Sequence, residues 1–295
     1  MVSILFGWLK RYPVLAGFVL MFVCTWPIDL WAAANSHGLL LSLPIPSILP
    51  LLIGYGFVVA SLIMTGIISG WAGIRALLRQ FLVWRVGLPW YGVVLFGPAI
   101  IYLSAIAIHV LIGGAVPDFT QPFARQIIGP SLNLWVALPL FFLIQVLSNG
   151  EEIGWRGYAL PRLQARHGAL IASLIIGVIW AFWHAPKFLT AGSAQDYSFW
   201  LYLLDTIAKA MLFTWVYNNT KSSLLLVTLF HAAINASAVF LPIIPAAIGD
   251  VRPTLIAIGL YSLAAIIVVI ATGPAQLSHS QTAPEEIVIE PVVGV

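Results

Sequence analysis

The chain reads as an all-α membrane protein of about eight transmembrane helices built around an intramembrane site. Three observations lead there. Of its 295 residues 61% are hydrophobic and only 8% charged, and the mean hydropathy is +1.01, whereas about a quarter of a soluble domain is charged. Apolar runs of about 20 residues, the length that crosses a hydrocarbon core, recur along the chain. Three of the few charges, Glu151, Glu152 and Arg156, sit together just after the apolar run Leu132 to Leu147. Ionised groups in hydrocarbon lose their hydration, so three at one depth imply a use. A single cysteine, Cys24, excludes a disulfide framework or a multi-cysteine metal site. The net charge of +3, with no dense basic cluster, gives no sign of nucleic-acid binding.

Met1 to Arg11 is a short, partly amphipathic lead. The first apolar run, Pro13 to about Ala34, ends in Ala32-Ala33-Ala34, which resembles a signal-peptide cleavage site. Pro27, Asp29 and the later spans favour a retained helix. A Pro-rich connector over Leu43 to Pro50 leads to the second span, Leu51 to Gly70. Arg75, Arg79 and Arg85 then mark a loop or interfacial helix. The third span runs from Trp90 to Ile112, and Gly113 to Pro130 is a turn-rich loop.

The fourth span starts near Leu132 and carries the acidic pair, and Pro161 is expected to end or kink it. Spans five to eight follow at Ala169–Phe188, Phe199–Tyr217, Ser222–Phe240 and Thr254–Thr272. Residues 1–273 therefore form one polytopic domain with its polar motifs inside 132–240. The tail 274–295, with Glu285, Glu286 and Glu290, lacks apolar periodicity and is expected to be disordered. With eight spans, nine Lys and Arg fall on the face of the termini and three on the other, which places both termini in the cytoplasm.

Three polar pairs have i, i+4 spacing, so each projects from one helix face: Glu152 with Arg156, Trp180 with His184, and His231 with Asn235. If spans four and five form a hairpin turning at His167-Gly168, Glu151 lies 16 residues before it and His184 16 after it. Both would then stand about 24 Å from the turn.

Glu-Glu-x-x-x-Arg, aromatic-x-x-x-His and His-x-x-x-Asn, in that order on three helices, resemble the CPBP family of CAAX prenyl proteases and bacteriocin-processing enzymes. The second motif departs from the family's usual Phe in beginning with Trp180. The resemblance implies an intramembrane endopeptidase in which Glu151 and His184 activate water and His231 and Asn235 donate to the oxyanion. Glu152 and Arg156 would form a supporting ion pair, with Trp180 packed against the site. The chemistry agrees, because a carboxylate taken out of water beside a second carboxylate suits a general base. No cofactor is favoured, although Glu151, His184 and His231 would also give a Glu-His-His zinc set with a position open to water. The partners implied are the lipid bilayer and a membrane-anchored or amphipathic peptide, cut near its cytoplasmic end. The short loops fit a compact bacterial-type member in the cytoplasmic membrane. A transporter or a non-catalytic scaffold or immunity protein would use the same charges differently. Asp205 and Lys209, also i, i+4, read as a neutralising pair, and His109 and Asp29 as facing a cavity or interface.

Overall fold

The structure is a computed structural model that describes residues 2–39, 49–129, 131, 133–195 and 197–278. The connector expected over Leu43 to Pro50 lies outside the described residues up to position 48, as does the acidic tail from position 279. Every regular element among the described residues is helical. A short α1 (Val2–Arg11) leads into α2 (Pro13–Ser36) and α3 (Leu49–Arg79), then α4 (Leu88–Leu111) and a small α5 (Ala124–Ile128). Next come α6 (Leu134–Ser148), a π-helical turn at Ile153–Ala159, α7 (Leu160–Trp183) and the short α8 (Ala185–Phe188). The chain continues through α9 (Phe199–Asn219), α10 (Leu224–Phe240), the short α11 (Pro245–Ile248) and α12 (Arg252–Thr272).

Seven of the described helical stretches are long and apolar enough to cross a membrane, and the protein is integral and multi-pass. Eight were expected. The difference is the run Leu134–Trp183, which continues as one helical stretch of 50 residues where two spans were expected. It is not straight. Residues 151 and 180 would lie about 44 Å apart on a continuous helix, yet Trp180 Nε1 is 3.0 Å from Glu151 Oε2. The chain doubles back at Gly168, whose φ of 75° and ψ of 172° leave the helical region. This backbone conformation is available to glycine at little cost. A second break of the same kind, Gly70 (φ 60°, ψ −160°), ends the apolar part of α3 where the second span was expected to stop.

The expected break at Pro161 is corrected. The fourth span is interrupted earlier, at Asn149-Gly150, and Pro161 stands in the first turn of α7. Pro161 directly follows the π turn, where the Leu160 N–H bonds to the Trp155 carbonyl, and the helix continues through it. At the Asn149-Gly150 break α3 crosses at backbone contact. A Cβ on Gly54 would overlap the Ser148 carbonyl, and one on Gly150 would overlap the Gly54 carbonyl. Gly54→Ala is therefore expected to force the two segments apart. The overpacking should cost about 1–3 kcal/mol, seen as a lower unfolding midpoint in detergent. An unchanged midpoint would contradict this contact.

The bundle core surrounds the π turn, whose Trp155, Arg156 and Tyr158 are wholly buried. Helix α2 is part of that core: Phe18 and Met21 are buried, and Trp26 Nε1 donates to the Trp183 carbonyl at 2.9 Å. Residues 274–278 differ from the disorder expected of the tail. The Pro274 and Ala275 carbonyls accept from the Leu170 and Ala169 N–H groups, and Leu277 is buried. His109 and Asp29 are both buried. His109 Nε2 donates to the Ala115 carbonyl at 3.1 Å and lies 3.8 Å from Asp250. Asp250 accepts from Arg252, which holds its carboxyl down at about 2.

Candidate active site

Glu151 is the first residue after the break. The Asn149 side chain accepts from its N–H at 3.2 Å, restarting the helix as a capping residue does. Its carboxylate Oε2 accepts from two indoles, Trp180 Nε1 at 3.0 Å and Trp155 Nε1 at 3.4 Å. Trp180 was expected only to pack. The departure from Phe has a chemical consequence, because an indole N–H can donate to the carboxylate and a phenyl ring cannot.

Glu152 points the other way on the same turn and is fully buried. Arg156 Nη1 reaches both of its oxygens at 3.1 Å. The expected ion pair is present, with the guanidinium carbon lying 4.1 Å from the centroid of the Phe213 ring and 5.2 Å from that of Trp180. Glu152 Oε1 also accepts from His231 Nδ1 at 2.7 Å, a contact that links two helices and that sequence reading missed. The adjacent carboxylates thus sit in separate environments, one on indole N–H groups and one between a guanidinium and an imidazole.

Both histidines are held by Nδ1. His184, at the C-terminal cap of α7, is bonded through Nδ1 to the Trp180 carbonyl at 2.9 Å. A carbonyl only accepts, so Nδ1 carries the proton and Nε2 of the neutral ring keeps a lone pair. His231 uses Nδ1 for Glu152, which leaves its Nε2 for other partners. Trp180 lies between them, its ring centroid 6.0 Å from His184 and 5.5 Å from His231. Asn235 Nδ2 donates to Gln145 Oε1 at 2.8 Å across from α6. Gln145 was also missed, although an amide inside Leu-Phe-Phe-Leu-Ile-Gln-Val-Leu was a visible signal.

Glu151, His184, His231 and Asn235 line one cavity of about 300 Å³, together with Trp180 and Gln145. Glu152 and Arg156 stand behind it in the core. Asp205 and Lys209 pair at 2.5 Å as expected, but they also line the cavity rather than only neutralising each other within the bundle. The hairpin register is shifted from the expected one. Glu151 is level with Trp180, one turn nearer Gly168 than His184, and the wider π turn accounts for the difference. Among the described residues no three of His, Cys, Asp or Glu are gathered closely enough to hold a metal ion.

Residues 131–237 match the model of a protein family described as type II CAAX prenyl endopeptidase Rce1-like. This segment is similar to the Rce1-like family. Its limits lie close to the 132–240 stretch that carries the three motifs, and every residue named for the site falls inside it. The chain is also similar to the CAAX prenyl protease 2 of Methanococcus maripaludis, with 31% identity over 158 residues. That match covers 51% of this chain and 56% of the relative, so the chain spans little more than half of the relative's length. The CPBP resemblance read from the motifs is thereby shown.

Proposed function

We propose that this Rce1-like protein is an intramembrane endopeptidase that hydrolyses a bond in a membrane-associated peptide. The observation that carries the reading is the convergence of Glu151, His184, His231 and Asn235 on one cavity within the helical bundle. In this reading a water sits between the Glu151 carboxylate and the free Nε2 of His184. Glu151 takes its proton as the water oxygen attacks the peptide carbonyl carbon. The carbonyl oxygen, now an oxyanion, accepts from His231 Nε2 and from the second N–H of Asn235. His231 Nδ1–H is held by Glu152 at 2.7 Å, so a donor at Nε2 belongs to the doubly protonated ring. The intermediate collapses as the C–N bond breaks, and the proton held by Glu151 passes to the leaving nitrogen. Gln145 orients the Asn235 amide. Trp180 and Trp155 fix the rotamer of the base.

The relative's name makes a prenylated CAAX-type tail the first substrate to try, with bacteriocin-type peptides as the other class that the motifs suggest. The test is hydrolysis in water enriched in heavy oxygen by the purified protein in liposomes. One heavy oxygen should enter the new C-terminal carboxylate, and no cleavage of any membrane-anchored peptide would remove the proposal. Trp180→Phe keeps the bulk but removes the N–H on Glu151. A hydrogen bond to a charged group contributes about 1.5–3 kcal/mol, so turnover is expected to fall about ten- to a hundredfold with the fold intact. Unchanged turnover would make Trp180 a packing residue only.

A further inference from the structure

We propose that Lys187 binds a carboxylate of the bound peptide close to the scissile bond, and so selects which chains the site accepts. This rests on the proteolytic reading above. Besides Lys187, the Asp, Glu and Lys residues that line the cavity are Glu151, Asp205 and Lys209, and each has a partner. Glu151 is held by two indole N–H groups, and Asp205 and Lys209 hold each other. Lys187 differs. Among the described residues no carboxylate stands within ion-pair distance of its ammonium. A peptide carboxylate arriving there gains charge-assisted hydrogen bonds without displacing an internal partner. Lys187 also stands where the cavity meets the surface. With Gln195 it is shared with a second pocket of about 450 Å³, which is walled by His37 and the exposed Leu189, Ala191 and Gly192. This second pocket is the mouth of the site, and a chain that enters or leaves by it passes the ammonium.

A lysine on a mobile stem would discriminate little, but this one is placed. Its Nζ lies 5.0 Å from the centroid of the Trp183 ring, within cation–π range. Trp183 is clamped to α2 in turn: its Nε1 donates to Thr25 Oγ1 at 2.8 Å, and its carbonyl accepts from Trp26 Nε1 at 2.9 Å. The Lys187 N–H donates to the His184 carbonyl at 2.9 Å, which ties the cation to a residue of the proposed reaction. Side chains one helical turn apart start about 5–6 Å from each other. An extended peptide advances about 3.3–3.6 Å per residue, so the carboxylate that meets Lys187 belongs to a residue within about three of the bond cut. Two sources supply that chemistry: the free C-terminus of a substrate that ends there, and an Asp or Glu side chain.

The experiment uses the full-length protein in liposomes and a prenylated CAAX-type peptide in three forms: the C-terminal acid, the C-terminal amide, and the amide with its last residue changed to Asp. The wild type should cleave the acid with kcat/KM about tenfold or more above that of the neutral amide. If the Asp form recovers the loss, any carboxylate at that distance serves; if it does not, Lys187 selects a free C-terminus. Lys187→Arg should keep the acid-to-amide ratio. Lys187→Met, which retains a stem over Trp183, should bring it near one, and Lys187→Glu should invert it. Equal rates on all three peptides with the wild type, or a preference that survives in Lys187→Met, overturns the proposal. Binding of the same peptides, fluorescently labelled, to Glu151→Gln protein reads the site without cleavage. The acid should bind more tightly than the amide, and adding Lys187→Met should remove the difference. If the wild type cleaves nothing while this Lys187-dependent binding remains, the proteolytic reading is lost and the carboxylate site stands. Equal binding of acid and amide removes the site.

Discussion

Glu151→Gln is expected to abolish cleavage while leaving the protein folded. The amide oxygen can still accept from Trp180 and Trp155, which lie 3.0 and 3.4 Å from Oε2 in the wild type, so the local geometry survives. What is lost is the proton acceptor. General-base catalysis contributes about 10²–10⁴-fold, and the drop should appear in kcat with little change in KM. The checks are progress curves on a lipid-anchored peptide and an unchanged unfolding midpoint in detergent. Turnover within a fewfold of wild type would remove Glu151 from the chemistry and leave the cavity without its base.

Glu152→Gln should act through stability first. Arg156 is fully buried, donates only to Glu152 among the described residues, and has Nε and Nη2 without partners. Removing the carboxylate's charge leaves the guanidinium uncompensated in the core, which costs about 3–5 kcal/mol. The double variant Glu152→Leu with Arg156→Leu removes both charges and should recover much of the midpoint. It should not recover turnover, because His231 Nδ1 loses the acceptor that sets its tautomer and supports its charge. Stability and activity regained together would show that Glu152 serves the fold alone. Thermal unfolding and turnover measured on the same preparations separate the outcomes.

The helical class and most of the spans were legible because a bilayer allows few solutions: apolar runs of sufficient length must be helices whose backbone groups bond internally. The site was legible in part for the same reason. Charges and imidazoles are scarce in such runs, so Glu151, Glu152, Arg156, His184, His231 and Asn235 stood out by type and spacing. Trp180 stood out only through its place in a motif. In a chain with 12 tryptophans its composition says nothing, and its bond to Glu151 depends on how two limbs of one helical stretch lie together. Gln145 went unnoticed because its partner is 90 positions away on α10. The bland reading of Asp205 and Lys209 had the pairing right and the surroundings wrong, since i, i+4 spacing carries no information about what a helix face meets.

Sequence alone determined that the chain lies in a membrane, roughly where it crosses, and which polar residues have no structural excuse for being there. These properties are additive along the chain, each set by a residue and its near neighbours. Tertiary structure decided the rest. The reversal at Gly168 brought Trp180 onto Glu151, the α10 register gave Glu152 to His231 as well as to Arg156, and the helix directions set which end of the bundle holds the mouth. Contacts between residues 29 to 90 positions apart depend on the angle and depth at which whole helices meet, and no local pattern encodes that.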